Sequence, residues 1–84
     1  MEKNFLMRKT LLITGGSRGL GLLIVREFLK KDFKIIILDR NELDNSLDIK
    51  ESQNIKFHKI DLSNLDEMTA FIQLLEQNNI VIDV

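Results

Sequence analysis

Thr14-Gly15-Gly16-Ser17-Arg18-Gly19-Leu20-Gly21 is the stretch whose reading decides the fold. Immediately before it, Lys9-Thr10-Leu11-Leu12-Ile13 is a short apolar run, which predicts a strand entering a glycine turn. After it, Leu20, Leu23, Ile24 and Phe28 recur at three- and four-residue spacing. Arg26, Glu27, Lys30 and Lys31 turn elsewhere, and the terminal lysine pair suits a helix C-terminus, so an amphipathic helix follows at once. In such a strand-turn-helix junction Gly15 takes positive φ in the tight turn, Gly19 leaves room for a pyrophosphate against the backbone, and Gly21 lets the helix pack close to the strand. The free amides of the helix start supply donors and partial positive charge for phosphate groups. The plain alternative is a glycine-rich turn that holds no ligand.

Working outward, Lys34 to Leu38 contains three consecutive isoleucines and a leucine. That run is too continuous for a strand with one wet face, so it predicts a strand covered on both sides, as in a parallel sheet. Asp39 and Arg40 end it. The stretch Asn41 to Asn54 has only Leu43, Leu47 and Ile49 as apolar residues and is expected to be a loop with a short, weak helix. Ile55 to Ile60 alternates apolar and polar residues, which suits a strand nearer the sheet edge. Asp61-Leu62 terminates it. Ser63 as N-cap, acidic Asp66 and Glu67, and the stripe Leu65, Met68, Phe71, Ile72 and Leu75 predict a second long helix reaching Gln77. Ile80 to Val84 begins a further strand. The alternation predicts an α/β protein, the N-terminal half of a doubly wound parallel sheet whose chain ends within the fourth strand, with residues 1–84 as one incomplete domain.

Composition narrows the classes. A chain of 84 residues buries only about 60–65% of the surface it exposes when unfolded, near the lower limit for a self-sufficient core. Without cysteine there is no disulfide framework, thiolate metal site or cysteine nucleophile, and a reducing, cytoplasmic setting is the default. Twelve basic against 13 acidic residues, net charge −1, and no basic run longer than two leave no field for a nucleic-acid backbone. The N-terminal residues 1–7 lack a signal-peptide core, and the longest apolar run, Gly19 to Val25, is far short of the ~20 residues that span a bilayer. No nucleic-acid or membrane partner is expected. His58 has no ligand set around it and reads as a strand residue, so no metal site is expected. The carboxylates Asp44, Asp48, Glu51, Asp66, Glu67 and Glu76 are explained as solvated faces and a helix start.

Two nucleotide motifs fail on spacing. A Walker A loop needs Lys and Ser or Thr directly after the last glycine, where this chain has Leu22-Leu23, and Gly-x-Gly-x-x-Gly fails because Ile24 stands in the third glycine position. Thr-Gly-x-x-x-Gly-x-Gly does fit, and with it the sequence resembles the classical branch of the short-chain dehydrogenase/reductase family over essentially its whole length. The extended branch of that family would want Gly at Arg18. Two further signals agree with the resemblance, Asp39 ending the second strand and Asp61-Leu62 ending the third.

Asp39 lies 18 residues past Gly21, close to the ~20-residue offset at which a carboxylate meets the adenosine ribose hydroxyls. An Asp there repels a 2′-phosphate and favours NAD, while Arg18 and Arg40 leave NADP open, since guanidinium groups clamp phosphates. The plain reading of Asp39 is a solvated strand end. The resemblance implies a Rossmann-type dinucleotide site in which Asp61 bonds the adenine amino group, Leu62 covers the ring, and Ser17, Arg18 and Leu20 line the pyrophosphate turn. The plain readings are a turn residue before the Ser63 cap for Asp61 and ordinary core for Leu62. By resemblance the reaction is hydride transfer between nicotinamide and a carbonyl or secondary alcohol, carried by a Tyr, a Lys and a Ser in the other half of the fold. This chain has no Tyr, so no catalytic residue is assigned and the substrate stays unread. The competing expectation is a complete, non-catalytic dinucleotide-binding or interaction module, a homo-oligomer or partner-bound chain that pairs through an edge of the first strand left exposed apart from the short Ile80–Val84 segment.

Overall fold

The computed structural model describes residues 8–43, 47 and 49–84. The readings made for residues 1–7 and for solvated carboxylates at Asp44 and Asp48 lie outside the described residues. The elements run β1 (Thr10–Thr14), α1 (Gly19–Lys30), β2 (Lys34–Asp39), α2 (Ile49–Gln53), β3 (Ile55–Lys59) and α3 (Leu65–Gln77). All three strands are parallel, in the order β1-β2-β3, with Ile37 opposite Ile13 on one side and Phe57 on the other. This is the α/β, Rossmann-like sheet that the sequence predicts.

The isoleucine-rich β2 is the middle strand, buried on both faces along nearly its whole length. Successive strand side chains point to opposite sides of the sheet, and each side meets its own helix. Ile35 and Ile37 join Leu11 and Val25 of α1, while Ile36 and Leu38 join Phe71 of α3, with Met68 and Leu75 alongside. At the sheet end away from the glycine turn, the Arg8 guanidinium bonds the Asp32 carbonyl at 3.2 Å and the Asn54 side chain at 2.6 Å, tying the approaches to β1, β2 and β3 together.

Three expectations shift in register. On α1 the buried residues are Leu22 and Val25, whereas Leu20, Leu23 and Ile24 are exposed. Apolar residues in this helix are nearly continuous, so period alone allows two stripes, and the packing of the turn selects the one carrying Val25. On α3 the cap is Asn64 rather than Ser63. The Asn64 side chain accepts from the Glu67 amide at 3.1 Å and donates to the Glu67 carboxylate at 3.0 Å, a reciprocal closure of the helix start. Leu65 is 80% exposed and Ile72 is also exposed, because Met68, Phe71 and Leu75 complete the sheet-facing row without them.

The segment after α3 stays irregular, yet it lies along the free side of β1. Leu12 N–H donates to the Val84 carbonyl at 3.0 Å, Asp83 N–H donates to the Thr10 carbonyl at 3.0 Å, and Thr10 N–H donates to the Asp83 carboxylate at 2.9 Å. The outer edge of β1 is met here by residues 83 and 84, within the 80–84 segment that the interaction-module expectation itself set against that edge.

Ile37→Ala in the natural protein is expected to cost about 2–5 kcal/mol, since Ile37 is fully enclosed. Leu65→Ala should stay within about 0.5 kcal/mol. Urea unfolding of the two variants checks the layer assignment, and equal losses would contradict it.

Candidate functional site

The glycine turn joins the C-terminal end of β1 to the N-terminus of α1. Gly15 has φ +69° and donates its amide to the Leu38 carbonyl at 3.0 Å, so the turn is stitched to the end of β2. Gly19 has φ +60°, and a Cβ there would meet nothing within 4 Å, leaving open space over the turn. Gly21 is constrained by contact instead. A Cβ on it would collide with the Gly15 carbonyl oxygen and come within 3.0 Å of the Gly16 Cα, so the close approach expected against the strand is made against the turn itself. Helix α1 begins at Arg18 with no side-chain cap and no acidic residue in its first turn. Amides ahead of Leu22, whose own N–H donates to the Arg18 carbonyl at 3.3 Å, have no intrahelical acceptor. They give this end of α1 the donors and partial positive charge that an anion requires.

Beside the turn, a cleft of about 370 Å³ opens at the C-terminal ends of the strands and brings together Gly15, Asp39, Arg40, Asp61 and Leu62. Ser17, Arg18, Gly19, Leu20 and Gly21 continue from it along the turn, with Leu20 and Leu62 presenting exposed apolar side chains. A roomier cleft of about 530 Å³ lies between α1 and α2, but it is lined largely by charged side chains, with the Arg26–Glu51 pair at 3.6 Å among them. The smaller cleft reaches the glycine turn at Gly15, the turn that leads into the uncapped start of α1.

Asp39 is 8% exposed. The fully buried Ser17 hydroxyl donates to Asp39 Oδ2, and the Asn41 amide donates to Oδ1 at 3.0 Å, with the Asn41 side chain at 3.3 Å. Burial pushes the Asp39 carboxyl up, but the bonds from Ser17 and Asn41 together outweigh it and hold the group below the ordinary value of 3.8. It is a nearly buried, charged acceptor rather than the solvated strand end of the plain reading.

Asp61 Oδ1 accepts from the Ser63 amide at 2.9 Å and the Ser63 hydroxyl at 2.7 Å. Those bonds hold its carboxyl below the ordinary range, with a smaller contribution from the positive field of Arg40. Asp61 thus closes a turn, as its plain reading has it, while still lining the cleft. Asn41 was not singled out from the sequence. The signal for it is an Asp two residues earlier, because Asp side chains cap the amide two positions on. His58 packs edge-on to Phe71 at 5.0 Å, and burial, then the nearby Lys56, holds its imidazole below the ordinary value. Among the described residues, no cluster of His, Asp and Glu could hold a metal ion, and no helix is long and apolar enough to cross a membrane.

A Rossmann-like sheet with a glycine turn feeding an uncapped helix and an acidic residue ending β2 defines a nucleotide-binding α/β protein. The family model for the short chain dehydrogenase matches residues 9–84, and the chain belongs to that family. It is 32% identical over 70 residues to an uncharacterized oxidoreductase of Saccharomyces cerevisiae, covering 83% of this chain and 22% of the relative. A short-chain dehydrogenase of Leptospira borgpetersenii solved with bound NAD+ superposes with a TM-score of 0.81 at 31% identity, over 99% of this chain and 33% of that one. ElxO solved with NADP bound gives 0.72 at 29% identity, over 92% and 33%. The chain therefore spans a third or less of the length of these relatives.

Gly21→Ala should destabilise the natural protein by about 2 kcal/mol or more, because overpacking against backbone outweighs the ~1 kcal/mol that Ala gains over Gly in a helix. An unchanged midpoint in urea would mean that α1 can slide away from the turn. For Asp39, a lowered folded-state pKa stabilises the protein above about pH 4, and that contribution is lost as pH falls through the folded value. Asp39→Asn is therefore expected to flatten the acid limb of stability against pH, measured by unfolding between about pH 3 and 6.

Proposed function

We propose that this chain binds the adenosine-diphosphate half of NAD, in preference to NADP, as the cofactor-binding portion of an oxidoreductase acting on a carbonyl or secondary alcohol. The observation that carries the reading is the charged, nearly buried Asp39 at the end of β2, beside open space over Gly19. When bound, the dinucleotide supplies the hydride-carrying nicotinamide. The chain's own residues bind and orient it. Asp39 accepts hydrogen bonds from ribose hydroxyls and repels a 2′-phosphate, since a nearly buried carboxylate is screened less than one in open water. The α1 amides and the bare backbone at Gly19 receive the pyrophosphate. Leu62, with Asp61 beside it, flanks the adenine. Neighbours solved with NAD+ and with NADP support a dinucleotide of this class, and the buried carboxylate supports NAD.

Hydride transfer also needs groups that hold the substrate and move a proton. The Tyr of the family resemblance is not among these 84 residues, so no proton path is assigned to them. The interaction-module alternative gains no specific observation: Thr10 and Leu12 on the edge of β1 bond residues 83 and 84, as that reading allows.

Titration of the natural protein with NAD and NADP, followed by fluorescence or calorimetry, tests the reading. NAD should bind more tightly, and Asp39→Ala should weaken NAD about tenfold, or about 1.4 kcal/mol, while narrowing the preference. Tighter NADP binding by the wild type would overturn it.

A further inference from the structure

Ser17 stands in the glycine turn, where a short polar side chain would be expected to face the phosphates. Its side chain instead points inward, is fully buried, and donates its hydroxyl hydrogen to Asp39 Oδ2 across a separation of 22 residues. We infer that Ser17 is a positioning residue for dinucleotide choice: it holds the Asp39 carboxylate ionised and in one orientation, so that Asp39 meets a ribose diol and rejects a 2′-phosphate. This deepens the assignment of Asp39 as the ribose anchor and rests on it.

The hydrogen-bond inventory of Asp39 carries the argument. A carboxylate offers about four lone-pair sites. The Ser17 hydroxyl takes one on Oδ2, the Ser17 backbone amide bonds the carboxylate as well, and the Asn41 amide takes one on Oδ1 at 3.0 Å. A further site on Oδ1 is met by the Asn41 side chain at 3.3 Å. Asn41 is exposed, so its side-chain contact is the one that a ribose hydroxyl can displace without leaving a buried donor unpaired. The Ser17 contact cannot be displaced in that way, because its hydroxyl has no water to turn to. The Ser17 donors and the Asn41 amide thus stay fixed, and the acceptor site now met by the Asn41 side chain is the one that a sugar hydroxyl takes.

Removing the Ser17 donor leaves burial acting on Asp39 with less to oppose it, which favours the protonated acid. A neutral carboxyl, held by one side-chain donor fewer, loses acceptor strength toward a diol and loses its repulsion of phosphate together. The other charges near Asp39 are exposed Arg40 and Asp61 in the same cleft, and exposed Arg18 next to Ser17. Lys59, the register partner of Asp39 on β3, is paired with Glu42 at 2.6 Å. None of these is buried against Asp39 as Ser17 is.

The test is a binding cycle on the natural full-length protein, with NAD and NADP as the probes, using Ser17→Ala, Asp39→Asn and the double variant. Ser17→Cys accompanies them, keeping the volume with a weaker donor, so that the question is answered even if Ser17→Ala does not fold. Ser17→Ala should weaken NAD about tenfold and leave NADP unchanged or tighter, with Ser17→Cys moving the same way by less. On the Asp39→Asn background the Ser17→Ala effect on NAD should shrink to within about twofold. Independently of any cofactor, the Asp39 side-chain carboxyl resonance, assigned by its loss in Asp39→Asn, should titrate at higher pH in both Ser17 variants. Equal losses for NAD and NADP, an effect undiminished by Asp39→Asn, or an unmoved carboxyl titration would overturn the role of Ser17. If instead Asp39→Asn leaves NAD affinity untouched, the ribose-anchor assignment itself fails, and the inference fails with it.

Discussion

The structure depends on one backbone contact, that of Gly21 against the Gly15 carbonyl. No side chain fits between them, so α1 enters directly against the turn that leaves β1. That approach sets the rotation of the helix. With Gly21 facing the turn, Leu22 and Val25 face the sheet, and Leu20, Leu23 and Ile24 are carried outward. It also sets what the helix start can do. The first amides of α1 lie beside the turn with no side chain capping them, and Gly15 is itself bonded to the end of β2. The open helix start proposed to receive phosphate and the packing of the first layer are thus consequences of the same missing side chain.

The second constraint is a buried charge at the end of the middle strand. A carboxylate that is only 8% exposed is costly unless it is hydrogen-bonded. Asp39 meets that requirement from two directions, through Ser17 out of the turn and Asn41 out of the following loop. The bonds join the glycine turn to the β2 end, so the surfaces proposed to receive phosphate and ribose move as one unit. Asp61 repeats half of this arrangement at the end of β3, capping the amide of Ser63 two residues on, but it does so in the open. The two aspartates look alike in sequence and differ in what burial makes of them.

Much of the fold was legible because its signals are local. A two-sided isoleucine strand can only be central in a parallel sheet. The glycine spacing and the period of the helices place turn and layers without reference to distant residues, and the short helix at Ile49–Gln53 falls inside the loop where one was expected. The cap of α3 was less legible, since Ser63 and Asn64 are both good caps and are adjacent; the reciprocal bond that Asn64 makes with Glu67 decides between them.

By itself, the sequence determined the order of elements, the parallel sheet, the phosphate turn and the acidic strand end, because each follows from residue type and spacing within a few turns of chain. The tertiary structure alone decided which stripe of α1 is buried, that the 83–84 segment meets the outer edge of β1, and that Ser17 bonds Asp39 rather than facing the open turn. Those outcomes depend on groups as far apart in the chain as Thr10 and Val84 coming within hydrogen-bond distance, and no local pattern encodes such a distance.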